Sequence, residues 1–160
     1  MNSQKGEKGG YLTLHIRLLN GRLFNKLLAK EKKALYSAEQ GKILSVLWHK
    51  EPQTATDLAL QTGLANNSLS IMLKHLIQKN LIYAQTHPTD KRKKNYYLTP
   101  LGRKQQTIGQ HVSQELAAIF YKDFSNDDIA QFEAYLEHIK ANLEEALYNA
   151  NNKPKEKHHD

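Results

Sequence analysis

A mainly helical fold with one small β-hairpin is the class this 160-residue sequence predicts. Three observations carry that prediction. Two short helical segments joined by a glycine turn lie between Thr54 and Asn80. The periodicity then switches from helical to strand-like over residues 81–98. Between the two strand-like runs sits a block of four cations, Lys91-Arg92-Lys93-Lys94. A helix-turn-helix followed by a hairpin is a winged helix, and 160 residues suit one domain of about 100–200 residues. The chain has no cysteine, which excludes disulfides, zinc–thiolate sites, cysteine nucleophiles and thiol-based oxidant sensing.

Each element has its own warrant. Residues 1–10, rich in Gly, Lys and Gln, form a flexible leader. Leu12, Ile16, Leu19, Leu23 and Leu27 then recur at spacings of four and three, and Tyr11, Leu14 and Leu18 widen that face. A first helix is expected over about 11–33, buried on more than one side. Ser37 with Gln40 makes a capping box ahead of Ile43, Leu44, Leu47 and Trp48, and the second helix should end near His49. Thr54 with Asp57 opens a short helix that Gly63 stops in a tight turn. Asn66, Asn67 and Ser68 are N-cap types for the next helix, which turns Leu69, Met72, Leu73 and Leu76 to a core and should end near Asn80.

Leu81–Thr86 and Asn95–Leu98 are the strands of the hairpin, and His87–Lys94 is its long polar tip. Thr99-Pro100 restarts a helix with threonine as N-cap and proline at the first helical position. Ile108, Val112, Leu116, Ile119 and Phe120 carry that helix to about Asp123. Ser125 with Asp128 caps a last helix, in which Ile129, Phe132, Leu136, Ile139 and Leu143 form an apolar seam. Residues 149–160 have the composition of a disordered tail.

The net charge of +7 is unevenly spread: residues 1–35 carry +6, residues 36–81 carry +1, residues 82–104 carry +5 and residues 105–160 carry −5. A molecule polarised in this way has polyanions as the natural partner of its positive end. No apolar run approaches the ~20 residues of a membrane span. The first residues lack the apolar region of a signal peptide, so the expected setting is cytoplasmic, away from membranes.

Phase sorts the exposed positions. With leucines facing inward, the second helix of the helix-turn-helix presents Asn66, Asn67, Ser70, Ile71 and Lys74. Asn pairs two-fold with adenine in a major groove, Ser donates or accepts, and Lys reaches phosphate or guanine. Thr54 and Thr56 read as capping and surface residues that could also donate to phosphate. The hairpin tip, Lys91, Arg92, Lys93 and Lys94, is shaped to enter a minor groove or lie along phosphates. Asp90, two residues before Arg92, is expected to fix that guanidinium through a bidentate pair.

From Ser37 to Lys104 the chain resembles the MarR family of bacterial winged-helix transcription regulators. The wing carries the specific part: Asp90-Lys91-Arg92, then Leu98-Thr99 and Gly102, matches the family's D-x-R…L-T-x-x-G signature. Looser matches lie upstream, at Gln40 with Ile43-Leu44, along Thr54–Gly63, and from Leu76 to Ile82. The resemblance implies a winged helix over about 37–99 within a single domain over 11–148, whose N- and C-terminal helices, about 11–33 and 100–148, interleave with those of a second chain in an obligate homodimer. It assigns the minor-groove contact to Arg92, the orienting role to Asp90, and recognition-helix contacts to Asn66, Asn67, Ser68 and Ser70. Two positions depart from the family pattern: Ile71 stands where many members have Arg, and Tyr96 where an aliphatic residue is usual.

The function so implied is a dimeric repressor that binds a pseudo-palindromic operator in double-stranded DNA and responds to a small aromatic or anionic effector. The resemblance places the effector between the dimerisation helices and the winged helix, with Tyr11, His15, Arg17 and Trp48 as candidate lining residues. A competing reading is a winged helix used as a protein-interaction or assembly module, since fold alone does not set function. Neither reading requires a cofactor or catalysis: the sequence has no Gly-rich phosphate loop and no G-x-S-x-G. The eight histidines show no i,i+4 pair among themselves and no tight grouping with carboxylates, so no metal site is expected.

Overall fold

Reciprocal capping boxes start three of the helices, as the side-chain spacing dictates. Ser37 and Gln40 bond each other's backbone N–H groups, and so do Thr54 with Asp57 and Ser125 with Asp128. The computed structural model describes residues 7–153. In chain order the elements are α1 (Gly9–Ala29), α2 (Ala38–His49), β1 (Gln53–Thr54), α3 (Ala55–Thr62), α4 (Asn66–Gln78), β2 (Ile82–Thr86), β3 (Lys94–Leu98), α5 (Pro100–Lys104), α6 (Gln106–Phe120) and α7 (Asn126–Asn151). The fold is mainly helical with a small antiparallel sheet, in the order β1-β3-β2. Among the described residues no helix is long and apolar enough to cross a membrane.

The chain divides into two compact units, one through Ala118 and one from Ile119. In the first, Ile43, Leu44 and Leu47 of α2, Leu58 of α3, Leu69, Leu73 and Leu76 of α4, and Val112 of α6 are buried together with Leu81, Ile82 and Leu98 of the hairpin. Gly63 ends α3 with a left-handed φ of 70°, where a Cβ would be strained, and so permits the turn into α4. In the second unit, Phe120, Tyr121, Phe124 and Phe132 form an aromatic group, Tyr121 donates a 2.8 Å hydrogen bond to Glu133, and no residue of α7 is buried.

Several sequence expectations need correction. α1 begins at Gly9, inside the predicted leader, and ends at Ala29 instead of Lys33. Nor is it buried on more than one side. Tyr11, Leu12, Leu14, Ile16, Leu18 and Leu19 are exposed, and only its last turns, at Phe24, Leu27 and Leu28, pack on the core. Helical periodicity reports a face and leaves open what covers it. The predicted helix over 100–123 is two helices, α5 and α6, parted at Gln105, and α6 stops at Phe120. At this junction Gln105 keeps helical dihedrals and backbone bonds to Leu101 and Gly109, while its buried side chain accepts from the backbone N–H of Leu35 (2.9 Å) and donates to the carbonyl of Lys33 (3.4 Å). β1, two residues long, was not foreseen; it pairs Gln53 with Tyr96 and Thr54 with Asn95. α7 runs through Asn151, into the predicted tail. The rest of that tail (154–160) and the first six residues of the leader lie outside the described residues.

Candidate nucleic-acid interface

α4 is amphipathic in the phase the sequence predicts. Leu69, Leu73 and Leu76 point into the core, while Asn66, Asn67, Ser68, Ser70, Ile71 and Lys74 are all exposed. The N-cap differs from expectation. Ala65 occupies it without any side-chain cap, so Asn66, Asn67 and Ser68 form the first helical turn. Their side chains are therefore not spent on capping. Ser70 donates back to the Asn66 carbonyl (3.0 Å), which leaves its hydroxyl lone pairs free to accept. Ile71, 57 % exposed, puts an apolar surface in the middle of that polar face. Thr54 is spent on capping, accepting from the N–H of Asp57.

The hairpin is anchored at its root by the residues that carry the Leu-Thr-x-x-Gly pattern. Leu98 is buried opposite Ile82. The Thr99 hydroxyl donates toward the carbonyls of Asn80 (2.7 Å) and Leu81 (3.1 Å) and accepts from the N–H of Gly102 (3.0 Å), capping α5. Gly102 lies so close to the end of α4 that a Cβ there would sit 2.0 Å from the Leu81 carbonyl oxygen. Its own carbonyl accepts from the Trp48 indole (2.9 Å). Glu51 completes the root by accepting from the N–H of Leu98 and pairing with Arg103. Tyr96, the departure from the family pattern, packs half-buried against the core, and burial raises its phenol pKa.

The tip is held by different atoms. His87 Nδ1 accepts from the backbone N–H groups of Thr89 and Asp90, each at 3.2 Å, while Lys93 bonds back to His87 and Asp90 through the backbone. His87 thus scaffolds the tip, a role that sequence reasoning missed. The signal was there: a short polar acceptor two and three residues before free backbone donors is a turn-closing arrangement. Asp90 Oδ1 accepts both from the Arg92 N–H (3.1 Å) and from Arg92 Nε (3.3 Å). The expected bidentate fork is therefore corrected to one carboxylate oxygen taking two donors from one residue. Two residues of separation bring Nε, but not the terminal nitrogens, within reach. Those nitrogens have no partner among the described residues, and 91 % of the Arg92 side chain is exposed. The Arg92 backbone N–H, then its side chain, hold the Asp90 carboxyl below the ordinary aspartate value, helped by Lys93 and His87. Lys91, Lys93 and Lys94 are exposed, and among the described residues none meets a carboxylate.

A groove of about 1010 Å³ opens in the same unit, between α1, α2 and α6. Arg17 and Trp48 line it, together with Phe24, Tyr36, Gly109 and Gln110. Tyr11 and His15 do not line it. They lie toward the start of α1, one turn apart, with ring centroids 4.2 Å from each other. The Tyr36 hydroxyl is buried with no hydrogen-bond partner among the described residues, and burial raises its pKa. One grouping of histidine with carboxylates, not foreseen from sequence, also appears: Glu31, His111 and Glu115 converge beside α6. The i,i+4 spacing of His111 and Glu115 was its local signal; Glu31 arrives from another part of the chain.

A helix-turn-helix made of α3 and α4, with a basic hairpin rooted at its end, defines a winged helix-turn-helix protein. The MarR family model matches residues 36–94, and the fold is similar to that of MarR-family transcriptional regulators. A mutant MarR from E. coli complexed with operator DNA is 25% identical, with a TM-score of 0.70, over 81% of this chain and 91% of that one. BpsR of Bordetella bronchiseptica, whose DNA binding is regulated by 6-hydroxynicotinic acid, is 17% identical (TM-score 0.73; 84% and 99% covered). A MarR transcriptional regulator from Methanosarcina mazei Go1 is 14% identical (TM-score 0.77; 86% and 96% covered). None of the curated proteins matches the sequence.

Proposed function

We propose that this protein is a cytoplasmic, homodimeric repressor that binds a pseudo-palindromic operator and loses affinity for it when a small aromatic or anionic molecule occupies the groove. The observation that carries the reading is the free polar face of α4 beside a wing whose cations, among the described residues, meet no carboxylate except Asp90, which turns Arg92 outward. In this reading Asn66, Asn67, Ser68 and Ser70 meet base edges in a major groove, and Ile71 meets a thymine methyl. Lys74, Lys91, Lys93 and Lys94 meet phosphates, and Arg92 enters the minor groove. The operator-bound E. coli relative supports DNA as the partner.

Two exposed apolar surfaces support the dimer. α1 leaves Leu12, Leu14, Ile16, Leu18 and Leu19 open, and α7 leaves Ile139, Leu143 and Leu147 open. Contiguous apolar patches of this kind mark association surfaces, and a second chain covers them isologously. The effector arm rests on the groove, where Arg17 supplies charge, Trp48 an aromatic wall and Tyr36 a hydroxyl unpaired among the described residues. Regulation of BpsR by an aromatic acid lends support to that ligand class. Binding there is reciprocal: operator DNA weakens the ligand by the factor with which the ligand weakens operator DNA.

The test is selection of bound duplexes from a random pool by the purified protein, followed by a salt titration on the winner and on random DNA. The expected result is a pseudo-palindrome whose half-sites are about one helical turn apart, with a steep salt slope on both duplexes. A protein-interaction module selects no sequence and shows a flat slope, and that outcome replaces the reading.

A further inference from the structure

The turn after α1 is tied to α6. Glu31 closes that turn through its own N–H, bonded to Leu28, and through its carbonyl, which accepts from Ala34. Gln105, just before α6, grips the same turn at Lys33 and Leu35. One result is that the Glu31 carboxylate reaches the face of α6 where His111 and Glu115 stand one turn apart. His111 Nε2 lies 2.8 Å from Glu115 Oε1 and 3.6 Å from Glu31 Oε1. One donor atom from each of the three residues lies within 4.8 Å of the other two.

The charge balance there is unusual for this chain. Glu31 is flanked in sequence by Lys30, Lys32 and Lys33. Yet among the described residues no Lys or Arg pairs with Glu31 or Glu115, and both carboxylates turn to a single imidazole instead. Two carboxylates around one histidine carry excess negative charge whether or not the ring is protonated. A divalent cation neutralises that excess.

We propose that Glu31, His111 and Glu115 form a binding site for one divalent transition-metal ion of the zinc class. Zinc bonds of about 2.0–2.2 Å in tetrahedral geometry separate donor atoms by about 3.4 Å. The His111–Glu115 and His111–Glu31 separations of 2.8 and 3.6 Å lie within 1 Å of that spacing, and the third, between the two carboxylates, is at most 4.8 Å. One imidazole and two carboxylates suit Zn²⁺ and its neighbours Co²⁺ and Ni²⁺; calcium takes six to eight oxygens, and magnesium an octahedron of oxygens. His111 and Glu115 are exposed, so the ion has an entry path and a fourth position open to water. A bound ion clamps the turn after α1 to α6, the helix whose Gly109, Gln110, Ser113 and Gln114 line the groove. The site goes beyond the DNA-binding reading and does not depend on it.

The experiment is calorimetric titration of the full-length, metal-free protein with Zn²⁺, paired with the visible absorption of the Co²⁺ form. One equivalent per chain is expected, with the absorption of low-coordinate cobalt. His111→Ala should remove that absorption and weaken zinc at least about tenfold, and Glu31→Gln and Glu115→Gln should each weaken it by a similar factor. The double variant His158→Ala/His159→Ala controls for the histidine pair near the C-terminus and should retain the site. Thermal unfolding of the apo variants checks folding; where His111→Ala fails that check, the two glutamine variants and His111→Gln decide. Failure of the wild type to bind zinc overturns the proposal. So does binding that survives all three site substitutions, or binding that disappears with His158 and His159. A failed operator selection leaves this result untouched.

Discussion

At the root of the hairpin, Leu98, Thr99 and Gly102 are held by groups remote in sequence: the Leu81 carbonyl, the Trp48 indole and the Glu51 carboxylate. At the tip, every bond of Asp90, Arg92 and Lys93 stays within a span of seven residues, His87–Lys93. The root is buried and the tip is exposed. One signature, Asp-x-Arg followed by Leu-Thr-x-x-Gly, therefore joins two physically different tasks. Its second half fixes the position of the wing against α4. Its first half aims a cation. Damage at the root should appear as lost stability, and damage at the tip as lost binding with the fold intact.

The largest effect is expected from Gly102→Ala, whose new Cβ would sit 2.0 Å from a backbone oxygen that cannot swing away. A loss of about 3 kcal/mol is expected, at the upper end for overpacking, read as a lower denaturant midpoint with an unchanged m-value. Arg92→Ala should leave that midpoint in place and weaken operator binding by about 1–3 kcal/mol, while random DNA loses much less. Lys93→Ala should weaken all duplexes evenly and lower the salt slope by about one. If Arg92→Ala lowers the midpoint instead, the contrast between root and tip is wrong. Thr99→Ala should cost about 1–2 kcal/mol of stability, through the lost cap and a buried Gly102 N–H left unpaired.

The smallest effect separates backbone from side chain within the tip. The Asp90 carboxyl is held below the ordinary aspartate value, so the Asp90–Arg92 contact is present above the unfolded-state value and is lost as pH falls through the lower folded one. Arg92 should stay oriented at neutral and mildly acidic pH and be released only in strong acid. Because the Arg92 backbone N–H is the larger cause and its side chain the second, Arg92→Ala should raise the Asp90 titration midpoint only part of the way. Carbon-13 titration of the Asp90 carboxyl in both proteins reads this directly. A full return to the ordinary value would show that the side chain alone orders the tip.

Much of the winged helix was legible because its determinants are local. The three capping boxes span four residues each, and Gly63 acts through its own φ. The leucines of α4 report their face by spacing alone, and the exposed set Asn66, Asn67, Ser70, Ile71 and Lys74 follows from it. The N-cap was misplaced because Asn and Ser suit both a cap and an exposed first turn, and only the backbone shows Ala65 in the cap. The groove was half legible: Arg17 and Trp48 line it, whereas Tyr11 and His15 share the helix of Arg17 but lie too far toward its start.

The sequence by itself determined where helices begin and stop, where the hairpin turns and where the cations gather, because each depends on groups within about four residues of one another. Tertiary structure decided the rest. Gln105, at the junction of α5 and α6, ties in a turn 70 residues away. β1 exists because β3 offers it an edge, not because two residues have a pattern of their own. Glu31 meets His111 because that same turn is held against α6. Even the apolar stripe of α1, plain in the sequence, gains core contacts only over its last turns. Periodicity sets which side chains share a face; what covers the face depends on contacts between residues far apart along the chain.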